Sequence, residues 1–370
     1  INDRAVLSLL LTNTTMTRPQ LIKATGLSSP TISQLVARLI EAGLVCETGE
    51  VVPSRGPGAV AYRACCDLAR GVAIQIEAGQ VVARVVDACD QPYPVATVRL
   101  DAQSRSETAD IAAAIRGGCA AADIDEDSIV AVCIGVPSAV SPDTGQLSFV
   151  GGLPGWSRRA VKPKVEEQLG VSVCIENDAN LAALAEYNQR GDQSDFALVW
   201  LGKGLRVATV VDGDVLRGRT GSAGEIGYLT VPQNPASDAA PLTCQDLIGS
   251  PAVTRLVQSH YPSKRSYQAA LDAITNSALR PRLLEELAPR IATTLMPVLA
   301  LLDPARIVLS GPTGVAGGPE LARLVQSSLT KSTAWRVPVT ASLVETHPVL
   351  AGAAWALTKR LTDHLLDLVA

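Results

Sequence analysis

Ser29-Pro30-Thr31-Ile32-Ser33-Gln34-Leu35-Val36-Ala37-Arg38-Leu39-Ile40 is the stretch from which the fold is read. Ile32, Leu35, Val36, Leu39 and Ile40 recur at i, i+3, i+4, i+7 and i+8, which is one apolar face of an α-helix. The opposite face carries Thr31, Gln34 and Arg38, short or fork-shaped polar groups suited to base edges and phosphates. Ser29 reads as the N-cap, Pro30 as the first helical residue and Gly43 as the stop.

Working back towards the start, Asp3 reads as the cap of a first helix through Val6, Leu9 and Leu10. Thr17-Arg18-Pro19-Gln20 is a capping-box pattern that opens a second, short helix. Gly26 ends it in a tight turn. Working forward, Leu44-Val45-Cys46 and Val51-Val52 read as two short strands around Thr48-Gly49-Glu50. Two helices, a glycine turn, a third helix and a β-wing make a winged helix-turn-helix. A plain three-helix bundle is the alternative, and the wing counts against it. Ser54-Arg55-Gly56-Pro57-Gly58 reads as an extended connector, either an interdomain linker or a strand that lays Arg55 into a narrow minor groove. Candidate DNA contacts are therefore Arg18, Ser29, Thr31, Gln34, Arg38 and Arg55.

Charge supports this division of labour. The chain of 370 residues has a formal net charge of −4. Its first forty residues nevertheless hold Arg4, Arg18, Lys23 and Arg38 against the single acid Asp3. An acidic body with a mildly basic head suits a protein of which only the head meets phosphates. Hydrophobic residues at 47% and charged residues at 18% describe a chain able to bury a large core. Every apolar run is interrupted well before the roughly 20 residues of a membrane span, so no membrane partner is expected. The opening INDRAVLSLL reads as a helix rather than a signal peptide. Eight cysteines in no framework spacing, with no CxxC pair, fit a reducing cytoplasm and give no zinc ribbon. Cys133 and Cys174 lie in apolar strand-like runs.

From Gly71 the pattern changes to period two. Val72–Ile76, Val81–Asp87 and Val95–Leu100 read as a meander, followed by a helix over about residues 107–122. A strand at Val130–Ile134, a helix over about 157–169 and a strand at Val171–Ile175 follow. The order then restarts with strands 196–201 and 206–211, paired through the Asp212-Gly213 region. Two similar α/β halves with a cleft between them give a two-lobed body of the actin/hexokinase class. The expected domains are 1–62 for the winged head with its connector, 69–178 with 352–370 for a first lobe, and 179–351 for a second lobe with a dimerisation surface.

Four motifs then stand in order. They are Gly135-Val136-Pro137, Leu153-Pro154-Gly155-Trp156, Glu176-Asn177-Asp178-Ala179-Asn180 with Ala182-Ala183-Leu184-Ala185-Glu186, and Gly221-Ser222-Ala223-Gly224-Glu225-Ile226-Gly227. With the winged head in front, the chain resembles the repressor branch of the ROK family (repressors, open reading frames, kinases). In the family's kinases the resemblance makes Asp178 the general base for a sugar hydroxyl and makes Asn177 and Glu225 hydroxyl ligands; an N-cap role is the alternative for Asp178.

The ATP side departs from that pattern. Gln75-Ile76-Glu77-Ala78-Gly79 stands where the family has Asp-x-Gly-x-Thr, which sets a carboxylate against a triphosphate. Gly202-Lys203-Gly204-Leu205-Arg206 stands where a Gly- and Thr-rich phosphate loop is usual. Ser310-Gly311-Pro312-Thr313-Gly314 survives near the family's adenosine loop, and no GxxxxGK[ST] motif is present. The family's zinc motif is reduced to Cys244, with Tyr228 in place of its histidine, so no metal and no cofactor is expected. Asp246 replaces the family's last sugar-binding Glu. The candidate effector ligands are thus Asn177, Asp178, Glu225, Tyr228 and Asp246, and Lys203 with Arg206 suggests an acidic or phosphorylated sugar.

Taken together, the sequence predicts a cytoplasmic, non-enzymatic transcriptional regulator that binds a double-stranded operator as a homodimer, possibly a tetramer. A sugar or sugar derivative bound between the lobes controls it. Two other readings stand beside it: an ATP-dependent sugar kinase with a DNA-binding head, and a regulator without effector whose body only dimerises.

Overall fold

The computed structural model describes residues 2–54, 56–101, 105–148, 153–192, 194–231 and 241–369, with the backbone alone at 50–54 and 56–58. The chain divides into two compact units. The first holds Ile1–Ile134, Gly152–Ile175 and Ala353–Ala370, and the second Gly135–Gly151 and Glu176–Gly352.

The first unit opens with α1 (Asn2–Thr12), β1 (Met16–Thr17), α2 (Arg18–Thr25), α3 (Ser29–Glu41), β2 (Val45–Ser54) and β3 (Gly56–Ala64). Val6, Leu7 and Leu10 of α1, Leu21 of α2 and Ile32, Leu35, Val36 and Leu39 of α3 are buried together as a small core. Each such side chain contributes about 1.5–3 kcal/mol. Ile40, expected on the apolar face, is 37% exposed at its edge. Gly26 adopts φ 71° and passes the chain from α2 towards α3.

The wing exceeds its expectation in two ways. It is a three-stranded sheet in the order β1-β3-β2, because Met16 and Thr17, just before α2, pair with Tyr62 and Ala61. Its hairpin is also longer, running to the pair Ser54↔Gly56. Residues 54 and 56–58 are therefore wing strand rather than interdomain connector. Arg55 lies outside the described residues.

The rest of the first unit follows the predicted meander: β4 (Arg70–Ile76), β5 (Gln80–Asp87), β6 (Val95–Arg99), α4 (Glu107–Ala122) and β7 (Ile129–Val136). The hairpin β8 (Ala139–Val140) and β9 (Leu147–Ser148) belongs to the second unit; α5 (Val161–Leu169) and most of β10 (Ser172–Asn177) return to the first. The sheet order is β10-β7-β4-β5-β6, with β4, β5 and β6 antiparallel. The helix expected from about 157 begins only at Val161. Cys66 and Cys89, 23 residues apart, form a disulfide with Cα atoms 5.7 Å apart, a pairing that their spacing does not announce.

The second unit continues with α6 (Asp178–Arg190), β11 (Phe196–Leu201), β12 (Leu205–Val211), β13 (Asp214–Val215), α7 (Cys244–Ile248), α8 (Ser250–His260), α9 (Tyr267–Asn276) and α10 (Arg280–Leu302). It then forms β14 (Ile307–Ser310), α11 (Gly311–Ser332, broken at Gly318) and β15 (Val339–Ala341), before α12 (Pro348–Asp367) leads back to the first unit. Its sheet runs β13-β12-β11-β14-β15, antiparallel at β11/β12 and parallel at β11/β14 and β14/β15. The β11/β12 turn falls at 202–204, since Leu201 pairs with Leu205; Asp212-Gly213 turns β12 into β13 instead. Helices α8 to α11 cover this sheet with Val253, Leu256, Ile274, Leu284, Leu287 and Leu321 among the buried side chains.

Residues 135–148 differ from expectation by joining the second unit. The Asn177 amide nitrogen donates to the Ser138 carbonyl at 2.9 Å. Gly221, at φ 77°, packs so close to Val140 that a Cβ would lie 1.9 Å from its carbonyl oxygen.

Candidate functional site

The polar face of α3 comes first. Ser28, not Ser29, is its N-cap: the Ser28 Oγ accepts from the Thr31 N–H and lies 2.8 Å from the Thr31 hydroxyl. Pro30 is thereby the second helical residue, and Ser29 is exposed at the first. Gln34 and Arg38 are exposed further along the same helix. Arg38 Nη2 donates to Asp3 Oδ1 at 2.9 Å and to Oδ2 at 2.8 Å. Asp3 is inside the first turn of α1, so its carboxylate serves this arginine rather than capping its own helix. Arg18, at the start of α2, lays its guanidinium over the Tyr62 ring of the wing at 5.2 Å from the centroid. The structure therefore groups Ser29, Thr31, Gln34 and Arg38 on one helix and anchors Arg18 on the adjoining wing.

The second cluster forms around the start of α6, and all of its members belong to the second unit. Asn177 is the N-cap: its Oδ1 accepts from the Ala179 N–H at 2.9 Å and the Asn180 N–H at 3.3 Å. Since its amide nitrogen donates to Ser138, most of its hydrogen bonding is spent on holding the fold. Glu176 is buried and accepts from Asn177 N–H and Asn180 Nδ2, both at 2.8 Å, and from Arg217 Nε at 2.6 Å. This leaves Asp178, the first residue of the helix, as the less committed carboxylate. Its Oδ1 accepts the adjacent Ala179 N–H at 2.7 Å. Burial, with the nearby Glu225 charge, raises its pKa to about 6 against the opposing pull of the Ala179 N–H and Arg206.

Arg206 is the surprise of this site. It lies in β12 and is buried, where a phosphate-loop cation would face solvent. Its Nη1 donates to Glu225 Oε1 at 2.5 Å, and its Nη2 donates to the carbonyls of Gly221 at 2.7 Å and Ala223 at 3.2 Å. Burial raises the Glu225 pKa, and Arg206 opposes that rise. Lys203 is exposed in the turn before it. The two cations thus do not form the anion-binding pair expected for an acidic sugar; one of them already has a carboxylate and two carbonyls.

Tyr228 and Asp246 stand apart in role. Tyr228 is 65% exposed in a short 3₁₀ turn. The Asp246 carboxylate caps α7, accepting from the Thr243 N–H at 3.0 Å and its hydroxyl at 2.7 Å. Among the described residues no three His, Cys, Asp or Glu side chains group as a metal site. His260 contacts Glu286 at 3.0 Å.

Two other motifs are structural. Trp156 Nε1 and Arg105 Nε both donate to Asp110 Oδ2 at 2.7 Å, and Gly155 abuts the Arg105 carbonyl where a Cβ would come within 2.1 Å. Glu186 is fully buried and accepts from Ser342 Oγ and the Leu343 N–H. At the positions matched to nucleotide binding, Glu77 accepts from Gln75 and Gln80 side chains at 2.8 Å each. Thr313, in the glycine-rich stretch, is buried with its hydroxyl 2.7 Å from that of Tyr267.

Residues 76–360 match the ROK family over most of the chain. The chain belongs to the ROK family. Residues 1–45 match winged helix-turn-helix DNA-binding domains. A solved ROK family transcriptional regulator, described as a homologue of the E. coli MLC protein, aligns over 100% of this chain and 98% of its own with a TM-score of 0.72 and 19% identity, which is a likeness of fold. The xylose repressor of Caldicellulosiruptor bescii is 26% identical over 62% of this chain and 59% of its own length. The glucokinase of Halalkalibacterium halodurans is 26% identical over 52% of this chain and 64% of its own. The chain thus spans about six-tenths of the length of these two relatives. A winged helix-turn-helix head on a ROK body is the arrangement of this chain, and both regulators and kinases are among its relatives. Among the described residues no helix is long and apolar enough to cross a membrane.

Proposed function

We propose that this protein is a sugar-responsive transcriptional repressor that reads a double-stranded operator through α3. The observation that carries this reading is the exposed row Ser29, Gln34 and Arg38 on a helix capped by Ser28, beside an Arg18 held against the wing. A recognition helix needs its first turn and one polar face free for base edges. A homodimer that places two such heads on half-sites would gain the affinity a mildly basic head lacks, with the second unit supplying the dimerisation surface. No phosphoryl transfer is proposed. Transfer depends on a loop that holds phosphates, and Arg206, in the strand that leaves that turn, points its side chain into the protein instead.

Asp178, Glu225 and Arg206 are the proposed effector contacts, with Asn177 holding Asp178 in place. One charge-balanced Arg206–Glu225 pair and a carboxyl of pKa about 6 favour a neutral polyhydroxyl ligand over an acidic or phosphorylated one. Similarity to the xylose repressor supports the sugar class. The protein acts in the cytoplasm, where its operator lies. Selection of duplexes from a random pool, followed by titration of the selected site with neutral pentoses and hexoses, tests the assignment. Enrichment of one sequence that a neutral sugar releases is the expected result.

A kinase reading keeps one observation on its side: Asp178 at a helix start has the pKa and placement of a general base. Incubation with ATP and the same sugars separates the two, since phosphorylated product would establish the enzyme.

A further inference from the structure

The only acid in the first forty residues, Asp3, is aimed at the recognition helix. An acid beside a DNA-reading face repels phosphates, so its position there asks for a purpose. The geometry answers. Arg38 Nη2 donates to both Asp3 oxygens, and Nε donates to Oδ1 at 3.3 Å, so the carboxylate takes the Nε/Nη2 side of the guanidinium. Five N–H groups form the guanidinium fork, and this contact leaves the Nη1 end uncommitted. Arg38 keeps 56% of its side chain exposed, whereas Asp3 keeps 26%. The carboxylate thus sits behind the arginine. Asn2, Asp3, Thr31, Gln34, Leu35 and Arg38 line a hollow of about 460 Å³ on this face.

We propose that Asp3 is a positioning and specificity-determining residue, which fixes Arg38 as a guanine reader and stops it from acting as a sequence-blind phosphate clamp. This inference rests on the DNA-reading assignment of α3. Two effects combine in it. The free end of a fixed fork matches O6 and N7 of guanine, the commonest specific contact in a major groove. The charge of Arg38 is also cancelled locally, so a stray phosphate contact gains little, and few counterions are released on its account. An unbuttressed arginine would be free to swing to any phosphate oxygen, raising affinity for all sequences alike.

The test uses the full chain and its Asp3→Asn, Asp3→Glu and Arg38→Ala variants. Each is put through selection from a random duplex pool, then titrated against the selected site and against scrambled duplex at several salt concentrations. The expected result is a guanine in the wild-type site whose preference disappears in Arg38→Ala. In Asp3→Asn the preference at that same base pair falls about tenfold, while binding to scrambled duplex strengthens and its salt slope steepens by about 0.9, one phosphate's worth. Asp3→Glu, which keeps the charge, retains the shallow slope. A staple that merely joined α1 to α3 would shift melting temperature and leave base preference and slope alone. Asp3→Asn with unchanged preference and slope therefore overturns the Asp3 inference only. A wild-type chain that enriches no sequence overturns the DNA-reading assignment and this inference with it.

Discussion

Arg206 donates to Glu225 at 2.5 Å from a strand in which its own side chain is 6% exposed, and Glu225 is 19% exposed. Charges withdrawn this far from water are tolerated because each supplies the other's counter-ion, and the Gly221 and Ala223 carbonyls accept from the arginine's Nη2. Removing one member leaves the other buried and unpaired. Arg206→Ala should therefore destabilise the second unit by about 3–5 kcal/mol in urea unfolding. The Arg206→Ala/Glu225→Ala double variant should recover part of that loss. A double variant whose loss equals the sum of the two single losses, Arg206→Ala and Glu225→Ala, would show that the pair is not coupled.

Asp178 gives a pH signature. Its pKa is raised from 3.8 to about 6, chiefly by burial. In the unfolded chain the group ionises near 4, and in the folded chain only near 6. Between those values the folded protein holds the extra proton, so this residue's contribution to stability declines as pH rises from about 4 to about 6 and is flat above. Melting curves of wild type and Asp178→Asn should converge or cross over that window, with the variant gaining on the wild type as pH rises. A difference that stays constant from pH 4 to pH 7 would place the carboxyl at its ordinary value.

How much of this could be read beforehand follows from what sequence patterns encode. The apolar period of α3, the glycine turn at Gly26 and the meander β4–β6 rest on local rules, and each is found where it was read. Met16-Thr17 as a third wing strand was not legible, because a two-residue strand has no period and acquires its pairing only from Tyr62 and Ala61. Arg206 reads as a cation for an acidic or phosphorylated sugar because it stands in line with the family's phosphate loop. Its pairing with Glu225, 19 residues on, is a tertiary contact with no sequence signature beyond a large residue in a usually small one's place. Asp246 was assigned by position in a motif, yet Thr243 three residues before it already marks a capping box. Asp3 had a usable signal, being the one acid in the first forty residues.

Arg18 should behave differently from Arg38. Its guanidinium rests on the Tyr62 ring with no carboxylate bonded to it in any described contact, so its charge remains available to a phosphate. Arg18→Ala should weaken binding to selected and scrambled duplex by the same factor and make the salt slope shallower by about 0.9. Loss of preference at one base pair in the selected site would instead make Arg18 a base reader.

The start of α3 separates a cap from a contact at neighbouring serines. Ser28 has extended backbone at φ −70° and ψ 155°, and its Oγ accepts from the Thr31 N–H, one of the donors that the first helical turn cannot satisfy internally. Ser29 lies one residue further on, inside the helix, and its hydroxyl is exposed. Removing the Ser28 hydroxyl strands the donor it satisfies, and cap removals of this kind cost about 1 kcal/mol. Ser28→Ala should lower the stability of the head by that amount, read as a fall in the melting temperature of the first unit. Its effect on DNA should appear only as weaker binding to all sequences through a frayed helix. Ser29→Ala removes no cap, so the melting temperature should hold. If the Ser29 hydroxyl meets a phosphate or a base edge, operator affinity falls in a protein of unchanged stability. The reverse pattern, with Ser29→Ala destabilising and Ser28→Ala neutral, would return the cap to Ser29 and shift the whole polar face of α3 by one residue.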